Sequence, residues 1–323
     1  MTIIFLAAVI PLWLFVNFIL LFVLAGFVIV WKIRSSAEKE KERLTKKISS
    51  RTFEVMQQKW EMERQHRDIK DKTKEIHDNI NYAKRIQAAM LPGREQIAKH
   101  FEHFFIFYKP KDVVSGDFYS FIETDNKCVL SVCDCTGHGV SGAFMSMLGC
   151  TLLERIAVER KIFKPSEILE HLNHGIIEAL GQNENENRDG MDAVIISVDK
   201  KNKPLQYAGA NRPLWLIRNN ELMEIKPDKL PIGGLHTEEK KFSNHEIPLF
   251  KNDMLYLFTD GYADQFGGML GKKLMTKNFK EVLLSIQSLS MKKQGEFLEH
   301  YIENWRDKFA QVDDILVIGL KIN

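Results

Sequence analysis

Short runs rich in β-branched and aromatic residues recur through the C-terminal part of the chain, and several of them begin or end at aspartate. Asp134 ends the run Cys-Val-Leu-Ser-Val-Cys-Asp, Asp260 ends Met-Leu-Tyr-Leu-Phe-Thr-Asp, and Asp313-Asp314 precede Ile-Leu-Val-Ile. Asp117 opens a further run, Asp-Phe-Tyr-Ser-Phe-Ile. A carboxylate at the end of a buried strand costs free energy unless a cation meets it. The sequence therefore predicts strands whose aspartates converge on metal ions.

The other segments favour an α+β fold. Periodicity and composition predict strands over 103–108, 117–122, 127–133, 193–198, 205–208, 214–218, 254–258 and 315–322. The turns at 200–204 and 218–220 have hairpin length, which favours antiparallel pairing. Helices are predicted over 140–160, 165–180, 277–288 and 292–309. Helices grouped between antiparallel strands indicate sheets covered by helices and not a doubly wound fold.

The N-terminal segment has the length and composition of a membrane span. No charged residue occurs from Ile3 to Trp31, and this run of 29 positions exceeds the roughly 20 residues that cross a bilayer as a helix. The run starts without Lys or Arg and is longer than the apolar part of a cleavable signal peptide. Basic residues at 32, 34, 39 and 41 follow it, which places the rest of the chain in the cytoplasm. We expect residues 1–34 to form an anchor, with no large external domain.

Residues 35–92 have the composition of a helical stalk or coiled-coil linker, because they are charge-rich and lack glycine and proline as far as residue 90. Ile69, Ile76, Ala83 and Met90 recur every seven residues, as in one seam of a packed helix. A solvated spacer is favoured for the first half. From Ile69 onward the alternatives are a homodimer seam and a helix docked on the following domain. Pro and Gly at 92–93 end the helix, and residues 93–323 form the predicted catalytic domain.

Charge and cysteine content exclude some classes of protein. The chain has 45 Lys and Arg against 43 Asp and Glu, so a formal charge of +2 gives no general attraction for nucleic acid. The four cysteines lie between residues 128 and 150, which is not a disulfide framework and indicates a reducing compartment. Cys133, Cys135 and His138 could form a soft-metal cluster. The favoured interpretation is that Cys133 and Cys135 share one face of a strand.

The predicted metal is Mg²⁺ or Mn²⁺, because the aspartates offer hard oxygen ligands without the Cys and His set that favours zinc. Two such ions sharing one carboxylate can lower the pKa of a bound water, which then attacks a phosphoester without a protein nucleophile. No cysteine is followed by Arg six positions later, and no Walker loop or dinucleotide fingerprint occurs. The turn Thr136-Gly137-His138-Gly139 lets backbone approach a small ligand at a helix start.

Six blocks carry a resemblance to a known family. They lie in order at 114–119, 133–143, 190–193, 208–213, 258–261 and 313–314. Here the chain resembles the PP2C-like (PPM) serine/threonine phosphatases, in the bacterial branch of the stage II sporulation protein E and the stress-response regulator phosphatases. The resemblance runs from about Ile80 to the C-terminus. It implies two stacked antiparallel β-sheets flanked by helices, an αββα sandwich.

The resemblance also implies roles for individual residues. Asp134 would bridge two Mn²⁺ or Mg²⁺ ions, Asp117 and the backbone carbonyl of Cys135 would bind one ion, and Asp260 and Asp313 would bind the other. Asp314 would support the site without direct ligation, although the sequence leaves open which of the two neighbouring aspartates is the ligand.

Three further residues have open roles. His138 lies two positions beyond the general-acid histidine of the wider group, so a role in packing the turn is favoured. Asn211 and Arg212 lie in a turn that either faces the site or is only structural. No Arg near the start of the domain occupies a phosphate-gripping position, which leaves the phosphate to the metal.

The implied function is a membrane-anchored phosphatase that hydrolyses phosphoserine or phosphothreonine on a cytoplasmic regulatory protein, of the anti-sigma-antagonist kind. A signal would enter through the stalk, which could also form a homodimer. One alternative is a catalytically inactive scaffold that binds a phosphoprotein. Another is a two-metal phosphotransferase or nucleotide cyclase, which the absence of a recognisable nucleotide loop disfavours.

Overall fold

The computed structural model describes residues 2–124, 127–199, 204–234 and 240–323, with side chains from residue 13 onward. It divides into two compact units, Met1–Ile76 and His77–Asn323. The first unit is helical throughout its described part and belongs to the long helix α1 (Thr2–Met90). The predicted domain boundaries at residues 34 and 92 stay predictions, since the whole of residues 2–90 is one continuous helix.

Two described helices are long and apolar enough to cross a membrane. A stretch of α1 has a mean hydropathy of 2.7 with none of it buried, and residues 139–159 have a mean hydropathy of 1.2 with 44% buried. The second stretch packs on a sheet as a core helix. The first is the predicted anchor, but signal sequences have the same composition, so membrane insertion stays a prediction.

The second unit contains two antiparallel sheets. One has the order β1 (His103–Lys109), β13 (Ile315–Lys321), β10 (Met254–Phe258), β6 (Leu214–Arg218), β7 (Glu221–Ile225). The other has the order β2 (Phe118–Glu123), β3 (Lys127–Cys135), β4 (Gly190–Asp199), β5 (Leu205–Ala210), β9 (His245–Ile247), with β8 (Ile232–Gly233) paired to β4. A small hairpin joins β11 (Phe266–Gly267) to β12 (Lys272–Lys273).

Helices cover the outer faces of both sheets. On the second sheet lie α3 (Gly139–Glu154), a π-helical turn (Arg155–Glu159) and α4 (Pro165–Ala179), packed through one apolar cluster. On the first sheet lie α5 (Gly261–Asp264), α6 (Met275–Ile286) and α7 (Met291–Arg306), packed through another. The short α2 (Arg94–Ala98) follows α1.

A third apolar cluster fills the space between the sheets. It joins residues such as Leu130 and Val194 of the second sheet to Leu257 and Leu316 of the first, all at most 1% exposed. Alternating side chains of each strand therefore face either this middle layer or the outer helices, as the period of two requires. The predicted α+β fold of two stacked antiparallel sheets flanked by helices is confirmed.

The predicted elements occur with small shifts. The helix predicted over 140–160 ends its α-helical part at Glu154 and continues as the π-helical turn. The 218–220 hairpin is confirmed, because Arg218 pairs with Glu221 while Asn219 and Asn220 have φ of 50° and 68°. The other predicted turn lies at 200–204, and its residues 200–203 are outside the described residues.

Candidate active site

The register of the second sheet places two acids side by side. β3 and β4 pair so that Asp134 stands directly opposite Asp192, at the end of one strand and the start of the other. Side chains opposite each other in an antiparallel pair point to the same face, and like charges there destabilise the sheet. A cation between them would remove this repulsion.

The first sheet brings two more acids to the site. β10 and β13 are antiparallel neighbours, so Asp260 after β10 lies beside Asp313 before β13. The Thr259 N–H donates to the Leu316 carbonyl at 3.0 Å and holds the two chain segments together. The acids of both sheets thus meet at one end of the sandwich.

Asp117 is the most deeply placed predicted ligand, at 3% exposure just before β2. The Thr259 hydroxyl donates to its Oδ2 at 2.6 Å. The Tyr108 hydroxyl donates to its backbone oxygen at 3.1 Å. Tyr108 lies in β1 and Thr259 follows β10, both in the first sheet, whereas Asp117 precedes β2 of the second sheet. These two hydrogen bonds therefore connect the sheets at Asp117.

Asp313 and Asp314 have different surroundings. Asp314 is 2% exposed, and its two oxygens accept the N–H groups of Lys111 and Gly116, each at 2.7 Å. Its own N–H donates to Asp313 Oδ1 at 2.9 Å. Both Asp314 oxygens are therefore used to hold loops, whereas Asp313 is half-buried with one oxygen engaged.

Arg212 lies at the centre of the acids. Its Nη2 is 2.6 Å from Asp134 Oδ2, 2.7 Å from Asp260 Oδ2 and 3.3 Å from Asp192 Oδ2. The neighbouring Asn211 donates to Asp192 Oδ1 at 2.8 Å. Both residues of this turn face the site, and three carboxylates share one nitrogen of Arg212.

Burial and mutual repulsion shape the electrostatics. Burial raises the pKa of Asp134 to about 7, while Arg212 lowers it and the charges of Asp260 and Asp192 raise it. Burial also raises the pKa of Asp117 well above its usual range, and the charge of Asp134 adds to the effect. Burial is the main cause of both shifts, and the neighbouring carboxylates add to it.

The donor set fits divalent cations. Among the described residues, Arg212 is the only cation within ion-pair distance of the clustered aspartates, and one charge cannot balance them. Carboxylate oxygens in this excess are ligands for Mg²⁺ or Mn²⁺. Within the described part of the chain, no three His, Cys, Asp or Glu side chains are already arranged as a metal cluster. The metal assignment therefore stays a prediction.

The soft-metal alternative is not supported. The Cys133 and Cys135 thiols are free and buried in the core under α3, where burial raises the pKa of both. His138 instead contacts Asp112 Oδ2 through Nδ1 at 2.8 Å and Lys111 Nζ through Nε2 at 2.9 Å. Any role of Cys135 as a ligand would use its carbonyl.

Glycine is required where the loop before Asp117 meets the turn after Asp134. A Cβ on Gly142 would lie 2.4 Å from the Gly137 oxygen and 2.7 Å from the Gly116 Cα. Gly137 itself has φ of 81°, which favours glycine. The backbones at Gly116, Gly137 and Gly142 are therefore in close contact, which fixes the distance between Asp117 and Asp134.

The last turns of α1 are docked on this loop. The Gln87 side chain is 6% exposed, donates to the Ser115 oxygen at 2.6 Å and to Ser146 Oγ at 2.8 Å, and accepts the Ser115 N–H at 3.1 Å. Ser115 precedes Asp117 by two residues. Around Gln87 the helix thus follows the docked alternative.

The five predicted aspartates come together, and two further residues join them. Asp192 and Thr259 were not assigned to the site from sequence. Asp192 lies in the block Gly-Met-Asp-Ala, and an acid within one of the six blocks was the available signal. Thr259 lies in the block 258–261, but a lone hydroxyl at a strand end is common and does not by itself indicate a role.

An αββα sandwich with aspartates from both sheets at one end defines the class of PP2C-like phosphatase folds. The family described as "Stage II sporulation protein E (SpoIIE)" matches residues 124–323. The chain belongs to this family. No curated protein matches the chain significantly.

Solved structures agree with the family. The SiaA-PP2C domain of Pseudomonas aeruginosa is 31% identical with a TM-score of 0.71, over 78% of this chain and 98% of that domain. The RsbU and RsbW domains of Rv1364c from Mycobacterium tuberculosis are 22% identical, with a TM-score of 0.53 over 68% of this chain and 60% of theirs. The phosphatase domain and regulatory fragment of SpoIIE from Bacillus subtilis are 20% identical, with a TM-score of 0.56 over 68% and 63%. The last two likenesses concern the fold alone.

Proposed function

We propose that the protein is a membrane-anchored, metal-dependent phosphatase that hydrolyses phosphoserine or phosphothreonine on a cytoplasmic regulatory protein. The observation that carries the proposal is the convergence of Asp134, Asp192 and Asp260 on a single Arg212 nitrogen, beside Asp117 and Asp313. Membership of the SpoIIE family supports the phosphatase class.

Asp134 would hold both cations, because it lies between the acids of the two sheets. Asp117 and the Cys135 carbonyl would complete one position, and Asp260 and Asp313 the other. The contacts of Asp314 favour Asp313 as the direct ligand, since both Asp314 oxygens already accept backbone N–H groups. When bound, Mg²⁺ or Mn²⁺ would supply an acidified water and charge stabilisation for the phosphoryl group.

Among the described residues, the thiol and the phenol beside these acids are poor nucleophiles. Burial raises the pKa of the Cys135 thiol, so little thiolate forms at neutral pH. The Tyr108 phenol is held by the Asp117 carbonyl, and burial raises its pKa as well. These observations favour direct attack by water over a phosphorylated cysteine or tyrosine.

The inactive-scaffold alternative is disfavoured by the complete set of acids. A scaffold has no need for a buried carboxyl group at Asp117 and a partly buried one at Asp134, because burying each such group costs free energy. The cyclase and phosphotransferase alternative still lacks a nucleotide loop in the sequence.

Anchoring and partner are proposed from the N-terminal unit. The apolar side chains from Trp13 onward are exposed, with Phe22 and Phe27 at 74% and 76%, as a lipid-facing helix requires. Exposed Ile69 and Ile76 are available for pairing with a second copy of the stalk. We expect the chain to stay in the membrane pellet after alkaline carbonate washing, and release into the supernatant would contradict the anchor.

The test of the activity uses the full chain in detergent micelles with p-nitrophenyl phosphate and a phosphoserine peptide. We expect hydrolysis of both to require Mn²⁺ or Mg²⁺, to stop in chelator and to return on re-addition. Hydrolysis that persists in chelator would contradict the metal, and no hydrolysis under any condition would favour the scaffold. Turnover of ATP or GTP in place of the esters would favour the phosphotransferase or cyclase.

A further inference from the structure

Arg212 occupies the middle of the acidic cluster, and the function proposed above leaves it without a role. Its side chain is 14% exposed, and all three of its ion pairs are made by one nitrogen, Nη2. An arginine that serves as a permanent partner of a carboxylate usually presents two nitrogens in a fork. The geometry of Arg212 differs from such a pair.

The turn that carries Arg212 is fixed independently of these ion pairs. The hydroxyl of buried Tyr207 donates to the Arg212 carbonyl at 2.9 Å, and the Arg212 N–H donates to the Ala210 oxygen at 2.7 Å. Asn211 has φ of 58° and is bound to Asp192. Rotation about the Arg212 side-chain bonds can therefore move the guanidinium while the turn stays in place.

One donor of Arg212 is buried and unused. Its Nε has no hydrogen-bond partner among the described residues. A buried donor left unpaired is costly, so such a group usually indicates a ligand or a second arrangement. The acceptor that suits a guanidinium edge with free N–H groups is an oxyanion such as phosphate, which arginine binds through two nitrogens.

We propose that Arg212 competes with the divalent cations for the oxygens of Asp134 and Asp260, and that once a cation takes these oxygens, the guanidinium binds the phosphoryl group of the substrate. Its positive charge would then remain in the site and meet the phosphate oxygens. The second half of the proposal rests on the phosphatase function, whereas the competition for the carboxylates does not.

The charges predict the direction of the effect. Arg212 adds a positive charge within 2.7 Å of two predicted ligand oxygens, so it must be displaced or repelled when a cation binds there. Replacing it with an uncharged side chain should therefore increase the affinity for Mn²⁺. If Arg212 instead arranges the carboxylates for the metal, the same replacement should lower that affinity.

The experiment measures Mn²⁺ binding by calorimetry on the full chain in detergent micelles, without substrate. We expect Arg212→Met to lower the Kd for Mn²⁺ at least about tenfold, because a nearby unit charge is removed. Arg160→Met is the matched control, since Arg160 is exposed and contacts His171 at 3.2 Å. An unchanged or higher Kd in Arg212→Met would overturn the competition.

The phosphate arm uses inorganic phosphate as an inhibitor of p-nitrophenyl phosphate hydrolysis at saturating Mn²⁺. We expect its inhibition constant to rise at least about tenfold in Arg212→Met, through loss of the paired N–H donors, and an unchanged constant would overturn phosphate binding. If the wild type hydrolyses nothing, the phosphatase function fails, but the Mn²⁺ affinities still decide the competition.

A folding defect does not remove the test. If Arg212→Met is unfolded in chelator, recovery of its far-UV circular dichroism on addition of Mn²⁺ would show that the metal can take the place of the Arg212 guanidinium among the carboxylates. Failure to recover at Mn²⁺ concentrations that saturate the wild type would contradict it. Arg212→Gln, which is smaller and also uncharged, should change the Mn²⁺ affinity in the same direction.

Discussion

Replacing Asp134 with Asn is expected to lower kcat/KM for p-nitrophenyl phosphate by at least about 10³-fold, equivalent to about 4 kcal/mol of transition-state stabilisation. The amide has the shape of the carboxylate but no charge, and Asp134 stands opposite Asp192 and shares the Arg212 nitrogen with Asp260. Steady-state kinetics of the full chain at saturating Mn²⁺ measures the loss.

Stability separates this effect from misfolding. Burial raises the pKa of Asp134 in the folded protein to about 7, above its usual 3.8. Its charge therefore destabilises the fold increasingly as the pH rises from about 4, and fully above about 7. Asp134→Asn should therefore unfold in chelator at pH 8 no earlier than the wild type. Asp68→Asn, the same change on the exposed stalk, should leave kcat/KM unaltered. Wild-type activity in Asp134→Asn would mean that Asp134 is not the shared ligand.

Replacing Gly261 with Ala is expected to destabilise the second unit by about 3 kcal/mol or more, since overpacking against rigid backbone leaves no side chain to move. A Cβ on Gly261 would lie 1.9 Å from the backbone carbonyl oxygen of Asp314 and 2.9 Å from the carbon of that carbonyl. The clash would push Asp260 away from Asp313, so activity should fall together with stability.

Thermal unfolding followed by circular dichroism measures this change. For a domain of this size, about 3 kcal/mol corresponds to a decrease in Tm of roughly 6–12 °C. Gly93→Ala is the matched control, because a Cβ there would meet nothing within 4 Å. A Tm for Gly261→Ala equal to that of Gly93→Ala would show that the contact with Asp314 relaxes easily.

The long strands could be predicted because their composition and period persist over several residues. β6 and β10 begin and end where the sequence places them, and β3 extends two residues further, to Cys135. β8, β11 and β12 contain two residues each, which is too short for any periodicity to appear. Their pairing depends on contacts between distant parts of the chain.

The acids could be predicted as a group, but their partners could not. The positions of Asp117, Asp134 and Asp260 at strand ends are a local property of the sequence. The pairing of Asp192 with Asp134 depends on the register between two strands, which a one-residue shift would change. The direction of the Arg212 side chain depends on a turn that the sequence describes only as Ala-Asn-Arg-Pro.

The stalk shows the limit of a heptad pattern. Ile69 and Ile76 are 64% and 59% exposed, while Ala83 and Met90 of the same seam are partly buried. Near Gln87 the seam residues Ala83 and Met90 are partly buried by the unit to which this part of the helix belongs. At Ile69 and Ile76 only a second chain could bury the seam, so the homodimer stays a prediction.

The most direct measurement is an anomalous difference map at the manganese edge from crystals of the full chain grown with Mn²⁺. We expect two peaks that share Asp134, one also in contact with Asp117 and the other in contact with Asp260 and Asp313, with Arg212 moved away from Asp134. A map without manganese at Asp134, with Arg212 still bonded to Asp134 and Asp260, would contradict it.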